Sequence, residues 1–477
     1  MIWNAKEPEP LGPVLFFRGI SGDCAKLSAL VLRPFGTKMP KLESETGQYS
    51  PELLDRRSGC DIWRFRFTVP AKADAIYHFG GVTHRINADF SGDLRLAFMS
   101  CNGQEHGDFT RPVADRNAMW CRLAGQNAQA PFQLLLHGGD QIYADEVTRA
   151  HPALHGWPEG FARDLDGSVR AELSDVLDDA YLRRYAAGMS GPGVAELMSS
   201  VPSLCIWDDH DICDGWGSFP EDILDSEVGR LLFDAARRNF LLFQFCAGPD
   251  EIPEICSDAS GTALGWRVDL PDLRILAPDL RSERRPYRVM GEQGWKALTV
   301  SMVDAPARTL LVSSVPALGP RLSWVERMLN IIPHAQKYED DLRDQWQSFA
   351  HRDEWRRFLR LMLSVHEQPD RDVTFVSGEI HLATRAEMRS AGGPMHQLVA
   401  SGITHPAPPP AYALALGALA RFGEAPLPAH PIAIRPLPGK RRIYTAERNY
   451  LVLSRENGDW SASWELENSG RTSTLPI

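Results

Sequence analysis

The chain has 477 residues, of which 51 are Lys or Arg and 62 are Asp or Glu, so its formal net charge at pH 7 is −11. With 43% hydrophobic and 24% charged residues, the composition is that of a globular protein and excludes bulk disorder, collagen and a long coiled coil. The acidic balance argues against a nucleic-acid scaffold, because phosphate backbones are held by dense Lys and Arg patches. We expect at least two domains, because one core usually stops growing at about 250–300 residues.

The first ninety residues have the pattern of β-structure. Apolar and polar side chains alternate over residues 63–69, which is the period of a half-buried strand. Shorter candidate strands lie at 13–18, 27–33, 75–79 and 82–86. Several short strands separated by turns predict a small β-sandwich over residues 1–92. Such a domain is either a packing module or a substrate-binding accessory.

From residue 94 the pattern changes to apolar runs that alternate with helical segments. The runs, read as buried strands, are 94–99, 132–136, 204–207, 273–277, 309–312, 373–376 and 397–400. Helices are predicted at 171–188, 224–247, 290–302, 322–331 and 352–365, further strands at 448–454 and 460–466, and loops at 406–410 and 425–438. This order predicts an α/β layered domain over residues 93–477.

Polar residues follow five of these apolar runs. They are Cys101 after the first, Asp140 and Tyr143 after the second, Asp208, Asp209 and His210 after the third, Arg281 after the fourth, and Glu379 and His381 after a later one. In α/β folds, chemistry collects at the carboxyl ends of the strands. Crowded carboxylates raise one another's pKa, and a bound cation removes that cost. The pattern therefore predicts a metal centre, with hard oxygen ligands for a hydrolytic metal pair or a thiolate and a phenolate for iron.

Four short motifs resemble those of PhoD-like alkaline phosphatases, a branch of the calcineurin-like metallophosphoesterases. They are Ser-Cys at 100–101, Gly-Asp-x-x-Tyr at 139–143, Trp-Asp-Asp-His-Asp at 207–211 and Ser-Gly-Glu-x-His at 377–381. The resemblance covers residues 94–405. It implies a metallophosphoesterase-type β-sandwich flanked by helices, preceded by an Ig-like all-β domain. It also implies two or more metal ions, iron with calcium, with manganese or zinc as alternatives.

The resemblance also implies roles for single residues. Asp140 would bridge two metals, while Cys101 and Tyr143 would bind iron as thiolate and phenolate. Asp209 would bind the second metal, with Asp208 as a further ligand or its hydrogen-bonding partner. His210 would act at the leaving group as an acid or transition-state stabiliser, a role that suits its near-neutral pKa. The residues expected to take part in catalysis are thus His210, Asp140 and Asp209.

The last motif departs from the family pattern, because Glu379 stands where Asp is usual. The i, i+2 spacing of Glu379 and His381 would put both side chains on one face of an extended segment, where both could bind metal.

Arg281 would either clamp a phosphate oxygen or form a structural ion pair. We expect an outer role for Asp211 and structural roles for the remaining polar neighbours, His137, Asp145 and His405.

The sequence therefore predicts a hydrolase that cleaves small phosphomonoesters or phosphodiesters with a metal-bound water at a dinuclear site. Two alternatives stay open: a metal-stabilised binding protein without turnover, and a metallohydrolase acting on another bond.

The eight cysteines form no C-x-x-C pair, and the N-terminus shows no secretory signal, so we expect a cytoplasmic protein. The apolar stretch 411–420 is shorter than the ~20 residues that cross a bilayer, so no membrane span is expected. The oligomeric state is left open.

Overall fold

The computed structural model describes residues 8–320 and 345–477. The helix predicted at 322–331 lies outside the described residues. Among the helices that are described, none combines the length and the apolar character that crossing a membrane requires.

The N-terminal segment is entirely β-structure, as expected. It forms β1 (Leu11–Ser21), β2 (Cys24–Pro34), β3 (Leu42–Ser44), β4 (Gly47–Tyr49), β5 (Glu52–Arg57), β6 (Cys60–Pro70), β7 (Ala75–Phe79) and β8 (Val82–Ile86). Strands β3, β4, β7 and β8 make a small sheet. Phe65 and Phe67 on β6 contact Phe79 and Tyr77 on β7, both with ring centroids 5.4 Å apart. The small sheet and the sheet that contains β6 therefore pack face to face as a sandwich.

The longer N-terminal strands also continue the sheet that follows them. β9 (Leu94–Met99), β10 (Leu134–Gly138) and β11 (Ser203–Ile206) are parallel neighbours. β1 pairs in parallel with β11 through Phe16 and Ser203, and β2, β6 and β5 extend the sheet beyond it. The all-β segment thus shares a sheet with the larger domain, and a boundary at residue 92 stays a prediction.

A second large sheet faces the sheet that contains β9, β10 and β11. It contains β12 (Trp266–Leu270), β13 (Leu273–Ala277), β14 (Arg308–Ser313), β15 (Asp372–Ser377), β16 (Thr384–Ser390), β17 (Gly393–Val399) and β18 (Ile432–Arg435). The C-terminal strands β19 (Asn449–Glu456), β20 (Asp459–Leu466), β21 (Gly470–Arg471) and β22 (Leu475–Pro476) join the first sheet beside β9. Two indole groups link the layers: Trp266 donates to the Cys205 carbonyl at 2.6 Å, and Trp464 donates to that of Val399 at 2.8 Å.

Helices cover the outer faces of the two sheets. They are α1 (Val113–Arg116), α2 (Ala118–Gln129), α3 (Gly167–Met189), α4 (Val194–Met198), α5 (Glu221–Leu224), α6 (Glu227–Phe245), α7 (Glu292–Ser301), α8 (Arg352–His366) and α9 (Pro410–Ala420). The Asp166 carboxylate caps α3, and the Ser226 hydroxyl caps α6 by accepting from the Gly229 amide at 3.0 Å. This arrangement confirms the predicted α/β layered fold.

Several local predictions differ from the structure. The loop predicted at 425–438 contains β18, which pairs with β16 at the edge of the second sheet. Prolines precede and follow β18, and an edge strand tolerates them because one side of it needs no ladder partner. The single helix predicted at 224–247 is divided at Asp225, because the Ser226 cap starts a new helix there. Helices α2 and α9 were not predicted.

Candidate active site

The polar residues that follow β9, β10, β11 and β15 come together at the carboxyl ends of these strands. Cys101, Asp140, Glu379 and His381 all have positive φ, between 51° and 71°. Residues other than glycine rarely adopt this conformation, and such strain clusters at functional sites. Sharp turns of the chain at the strand ends therefore position the predicted ligands.

Two glycines allow these turns to approach one another. A Cβ on Gly378, which follows β15, would lie 2.0 Å from the Ser100 Oγ at the end of β9. A Cβ on Gly139, after β10, would lie 2.8 Å from the Asp208 Cβ and would also be strained by its φ of 97°. The strand ends of both sheets therefore meet only because these positions carry no side chain.

Asp140 lies at the centre of the cluster. Its Oδ2 is 3.4 Å from the Cys101 Sγ and accepts a hydrogen bond from the Tyr143 hydroxyl at 3.3 Å. All three side chains are buried, with exposed fractions of 0–1%. The Asp140 Oδ1 is buried and has no hydrogen-bond partner among the described residues. Buried polar atoms are nearly always satisfied, so an unpartnered carboxylate oxygen is the feature that a cation would complete.

The electrostatics of the cluster also favour a cation. Burial raises the pKa of Asp140 well above its usual range, and the neighbouring carboxylates of Asp208 and Asp209 raise it further. Burial likewise raises the pKa of the Cys101 thiol and of the Tyr143 hydroxyl, with Asp140 adding to both shifts. A strongly Lewis-acidic ion deprotonates such ligands on binding. The donor set therefore fits a bound metal ion.

His210 is oriented by the carboxylate of Asp145, a residue whose sequence context predicts only a structural role. Its Nδ1 donates to both Asp145 oxygens at 3.0 Å, and its ring stacks on Tyr143 with centroids 4.2 Å apart. The ligand-capable atoms of Asp140, Asp209 and His210 lie within 4.8 Å of one another. Burial lowers the pKa of His210, but Asp145 and Asp209 outweigh it and raise the pKa well above the ordinary value. Asp145 and Asp209 therefore favour the protonated form of His210.

Arg281 is part of the carboxylate cluster. Its Nε donates to Asp208, its Nη2 lies 3.6 Å from the Asp209 Oδ1, and its Nη1 donates to the Trp216 carbonyl at 3.2 Å. The side chain is fully buried. This is the structural ion pair that the sequence left open as one alternative, and a contact between Arg281 and a substrate phosphate stays a prediction.

Asp211 supports the same loop from behind the cluster. Its carboxylate accepts hydrogen bonds from the Asp208 amide at 2.9 Å, from the Gln244 side chain at 2.8 Å and from the Ile142 amide at 3.3 Å. Burial raises the pKa of Asp211 to about 7. The contacts are those of a group that shapes the loop, which is the outer role expected for it.

The last motif does not form an extended segment, so the expectation that Glu379 and His381 share one face was wrong. Both residues have left-handed φ, which removes the alternation of an extended chain. The carboxylate of Glu379 accepts two hydrogen bonds from the side-chain amide of Gln345, at 2.5 and 2.6 Å. His381 lies instead in a second group with Glu105 and His405, whose ligand-capable atoms are within 4.8 Å of one another.

This second group contains Glu105, which the sequence did not indicate, and His405, for which a structural role was expected. The rings of His381 and His405 stack in parallel with centroids 3.5 Å apart, and the His405 Nε2 lies 3.2 Å from the Glu105 Oε1. Burial opposes the charge on Glu105, but the hydrogen bond from His405 holds its pKa well below the usual range. Glu105 and His405 are 300 positions apart, so no local motif links them.

Comparisons with known proteins agree with this picture. The sequence model of the family described as PhoD related phosphatase matches residues 54–340. The uncharacterized protein YGR266W of Saccharomyces cerevisiae is 22% identical over 369 residues, covering 63% of this chain and 51% of that protein. The chain therefore spans about half the length of this curated relative.

Two solved structures are similar over nearly the whole chain. The structure titled "Structure of PhoD" has a TM-score of 0.59 and 14% identity, covering 99% of this chain and 90% of that one. The purple acid phosphatase PPD1 from yellow lupin (Lupinus luteus) seeds has a TM-score of 0.53 and 10% identity, covering 98% and 74%. At these identities the likeness establishes the fold, and it confirms the predicted metallophosphoesterase architecture. Because the family model matches more than half of the chain, this protein belongs to the PhoD-related phosphatase family.

Proposed function

We propose that this protein hydrolyses phosphate esters at a metal centre built around Asp140. The observation that carries the proposal is the buried Asp140 carboxylate. One of its oxygens has no partner in the part of the chain that the structure describes, and a thiol, a phenol and His210 lie beside it. Membership of a phosphatase family supports the same reaction class. A carboxylate that faces two cations is what two-metal phosphoester chemistry requires.

The residues present fit a mixed metal set. Cys101, Asp140 and Tyr143 would hold iron, and Asp140, Asp209 and Asp208 would hold a second cation such as calcium, manganese or zinc. Glu379 and His381 stay predicted ligands. Bound metals would neutralise phosphate charge and supply a water of lowered pKa. We propose two ions rather than one because the residues offer these two different sets of donor atoms.

The remaining side chains orient groups and hold protons. His210 would place its proton at the leaving oxygen of the ester, and Asp145 would fix the ring through Nδ1 and keep the proton on it. Arg281 would hold Asp208 and Asp209 in place. Tyr143 stacks on His210 and limits its rotation.

The substrate that we propose is a small phosphomonoester or phosphodiester, hydrolysed in the cytoplasm. All eight cysteines are free thiols, which supports a reducing compartment. The rate ratio on nitrophenyl monoesters and diesters would separate the two substrate classes.

The alternatives are a metal-stabilised binding protein and a hydrolase of a non-phosphate bond, and a panel of esters separates them from the main proposal.

The test is Asp140→Asn. We expect the variant to lose metal by elemental analysis and to lose roughly 100-fold or more of the turnover, which is the scale of one electrostatic contact in a buried site. It should stay folded, because the substitution removes a costly buried charge. Asp175→Asn, on the exposed side of α3, is the matched control and should change neither metal content nor turnover. Near-wild-type turnover in Asp140→Asn would refute the proposal.

A further inference from the structure

Helix α9 presents an apolar surface to solvent. It contains no charged residue, and of its eleven positions only Ala413 and Ala420 are buried. Tyr412 is 52% exposed, Leu414 is 50% exposed, and Phe422, just beyond the helix, is 84% exposed. A surface helix ordinarily turns a polar face outward. A contiguous exposed apolar patch marks a site of contact with a partner or a membrane.

Basic residues dominate the segment around this helix. Between residues 406 and 446 the cationic side chains are Arg421, Arg435, Lys440, Arg441 and Arg442. The acidic side chain in that range, Glu424, is buried and pairs with Arg352 at 3.2 Å. The chain as a whole carries −11, so this segment has the opposite sign to the rest of the molecule.

The basic turn lies beside the helix. A Cβ on Gly417 would lie 3.9 Å from the Ile443 Cβ and from the Tyr444 ring, so α9 packs directly on the residues that follow Lys440–Arg442. Tyr444 is 3% exposed and joins the core of the second sheet, whereas Arg441 and Arg442 are exposed. The apolar helix and its basic neighbours therefore form one surface, defined here as the α9 surface: residues 411–422 and 440–442.

We propose that the α9 surface docks on an anionic lipid membrane, with the apolar side chains in the headgroup region and the basic residues against acidic headgroups. Peripheral binding of this kind combines buried apolar area with attraction to anionic lipid. A second copy of the chain fits less well, because an isologous contact centred on α9 would bring Arg421 and Lys440–Arg442 against their own copies. The proposal does not depend on phosphoester hydrolysis.

The test is co-sedimentation of the full chain with vesicles of phosphatidylcholine, alone or mixed with phosphatidylserine. We expect binding to the mixed vesicles that weakens as salt is added. The double variant Arg441→Gln/Arg442→Gln should lower the partition coefficient about 25-fold, since each basic side chain near such a surface contributes roughly a factor of five. The double variant Leu414→Gln/Phe422→Gln should weaken binding to vesicles of either composition.

Matched controls lie away from the α9 surface. Arg85→Gln/Arg230→Gln removes two exposed charges, and Val300→Gln removes an exposed apolar side chain on α7. Both should bind like the wild type. Absence of wild-type binding to the mixed vesicles at low salt would overturn the proposal, as would equal losses in the controls. A dimer in light scattering that Leu414→Gln/Phe422→Gln dissociates would also overturn it, in favour of a second copy.

Discussion

The proposed chemistry depends on a few buried groups whose charges a bound cation would balance. Burial and the neighbouring Asp208 and Asp209 raise the pKa of Asp140, yet its Oδ1 has no hydrogen-bond partner within residues 8–320 and 345–477. His210 is shifted upward by Asp145 and Asp209. Their surroundings thus shift the pKa values of two neighbouring groups, to which we assign different tasks in the proposed function, metal binding and proton donation.

Asp145 should act through His210. In Asp145→Asn the largest influence that raises the pKa of His210 is lost, so the imidazole should lose its proton at a lower pH. We expect turnover to fall about 10–100-fold, as for other groups that orient a site residue, and the alkaline limb of the pH–rate profile to move to lower pH. Kinetics across a pH series provide the measurement. Asp175→Asn is the control, and an unshifted limb would contradict a positioning role.

At the scale of elements, the site depends on the turns that end the parallel strands. β9 and β10 belong to one sheet and β15 to the other, and the layers meet where Ser100, Gly138 and Gly378 approach. A helix or strand can tolerate a changed side chain by small shifts. These turns have less room, because Gly139 and Gly378 lie against neighbouring strand ends.

Gly378→Ala should therefore destabilise the protein and disturb Cys101. The added Cβ would meet the Ser100 Oγ at 2.0 Å and the Ser100 Cβ at 2.4 Å, so the turn beside Cys101 must move. We expect a loss of about 1–3 kcal/mol in the free energy of unfolding, together with reduced iron content. Denaturant unfolding and elemental analysis measure the two effects.

The matched control is Gly125→Ala in the exposed part of α2, where an added Cβ meets nothing within 4 Å. It should stabilise the protein by about 0.5–1 kcal/mol, because alanine is the better helix former. If Gly378→Ala were as stable as the wild type, the close approach of the two layers would not matter to the fold.

At the scale of the whole molecule, the two facing sheets bury titratable groups far from the surface. His137 on β10 is buried, with its Nδ1 2.7 Å from the Gln141 Oε1 and its Nε2 3.1 Å from the Ser203 hydroxyl. These two contacts satisfy the hydrogen-bonding capacity of both nitrogens of a neutral imidazole ring. Burial lowers its pKa to about 4, whereas an unfolded histidine titrates near 6.5. The folded state therefore binds fewer protons between these values.

This difference predicts a pH dependence of stability. Because the unfolded state takes up the proton first, stability should fall as the pH decreases from about 6.5 to about 4, by about 3 kcal/mol from His137 alone. His137→Gln keeps a polar side chain without a titrating group, so its free energy of unfolding should vary less with pH. Urea unfolding at several pH values, with metal content held constant, compares the two slopes. Equal slopes would show that folding does not lower the pKa of His137.

Local pattern predicted much of the architecture. The runs predicted at 94–99 and 273–277 coincide with β9 and β13 residue for residue, because a short, mostly apolar run is typical of a buried strand. Helix α9 was not predicted, since its apolar composition lacks the alternation that marks a surface helix. β18 was read as a loop, since its pairing with β16 is not local.

The sequence by itself determined the layered fold class, the strand ends that carry polar residues, and the family, because each depends on short-range pattern or on motif order. The tertiary structure alone decided which polar groups meet. Asp145 lies 65 positions from His210, and Arg281 lies 73 positions from Asp208. It also turned Glu379 toward Gln345 rather than onto a shared face with His381. Such contacts follow from strand order, backbone turns and close packing across two sheets, which no segment of the chain encodes alone.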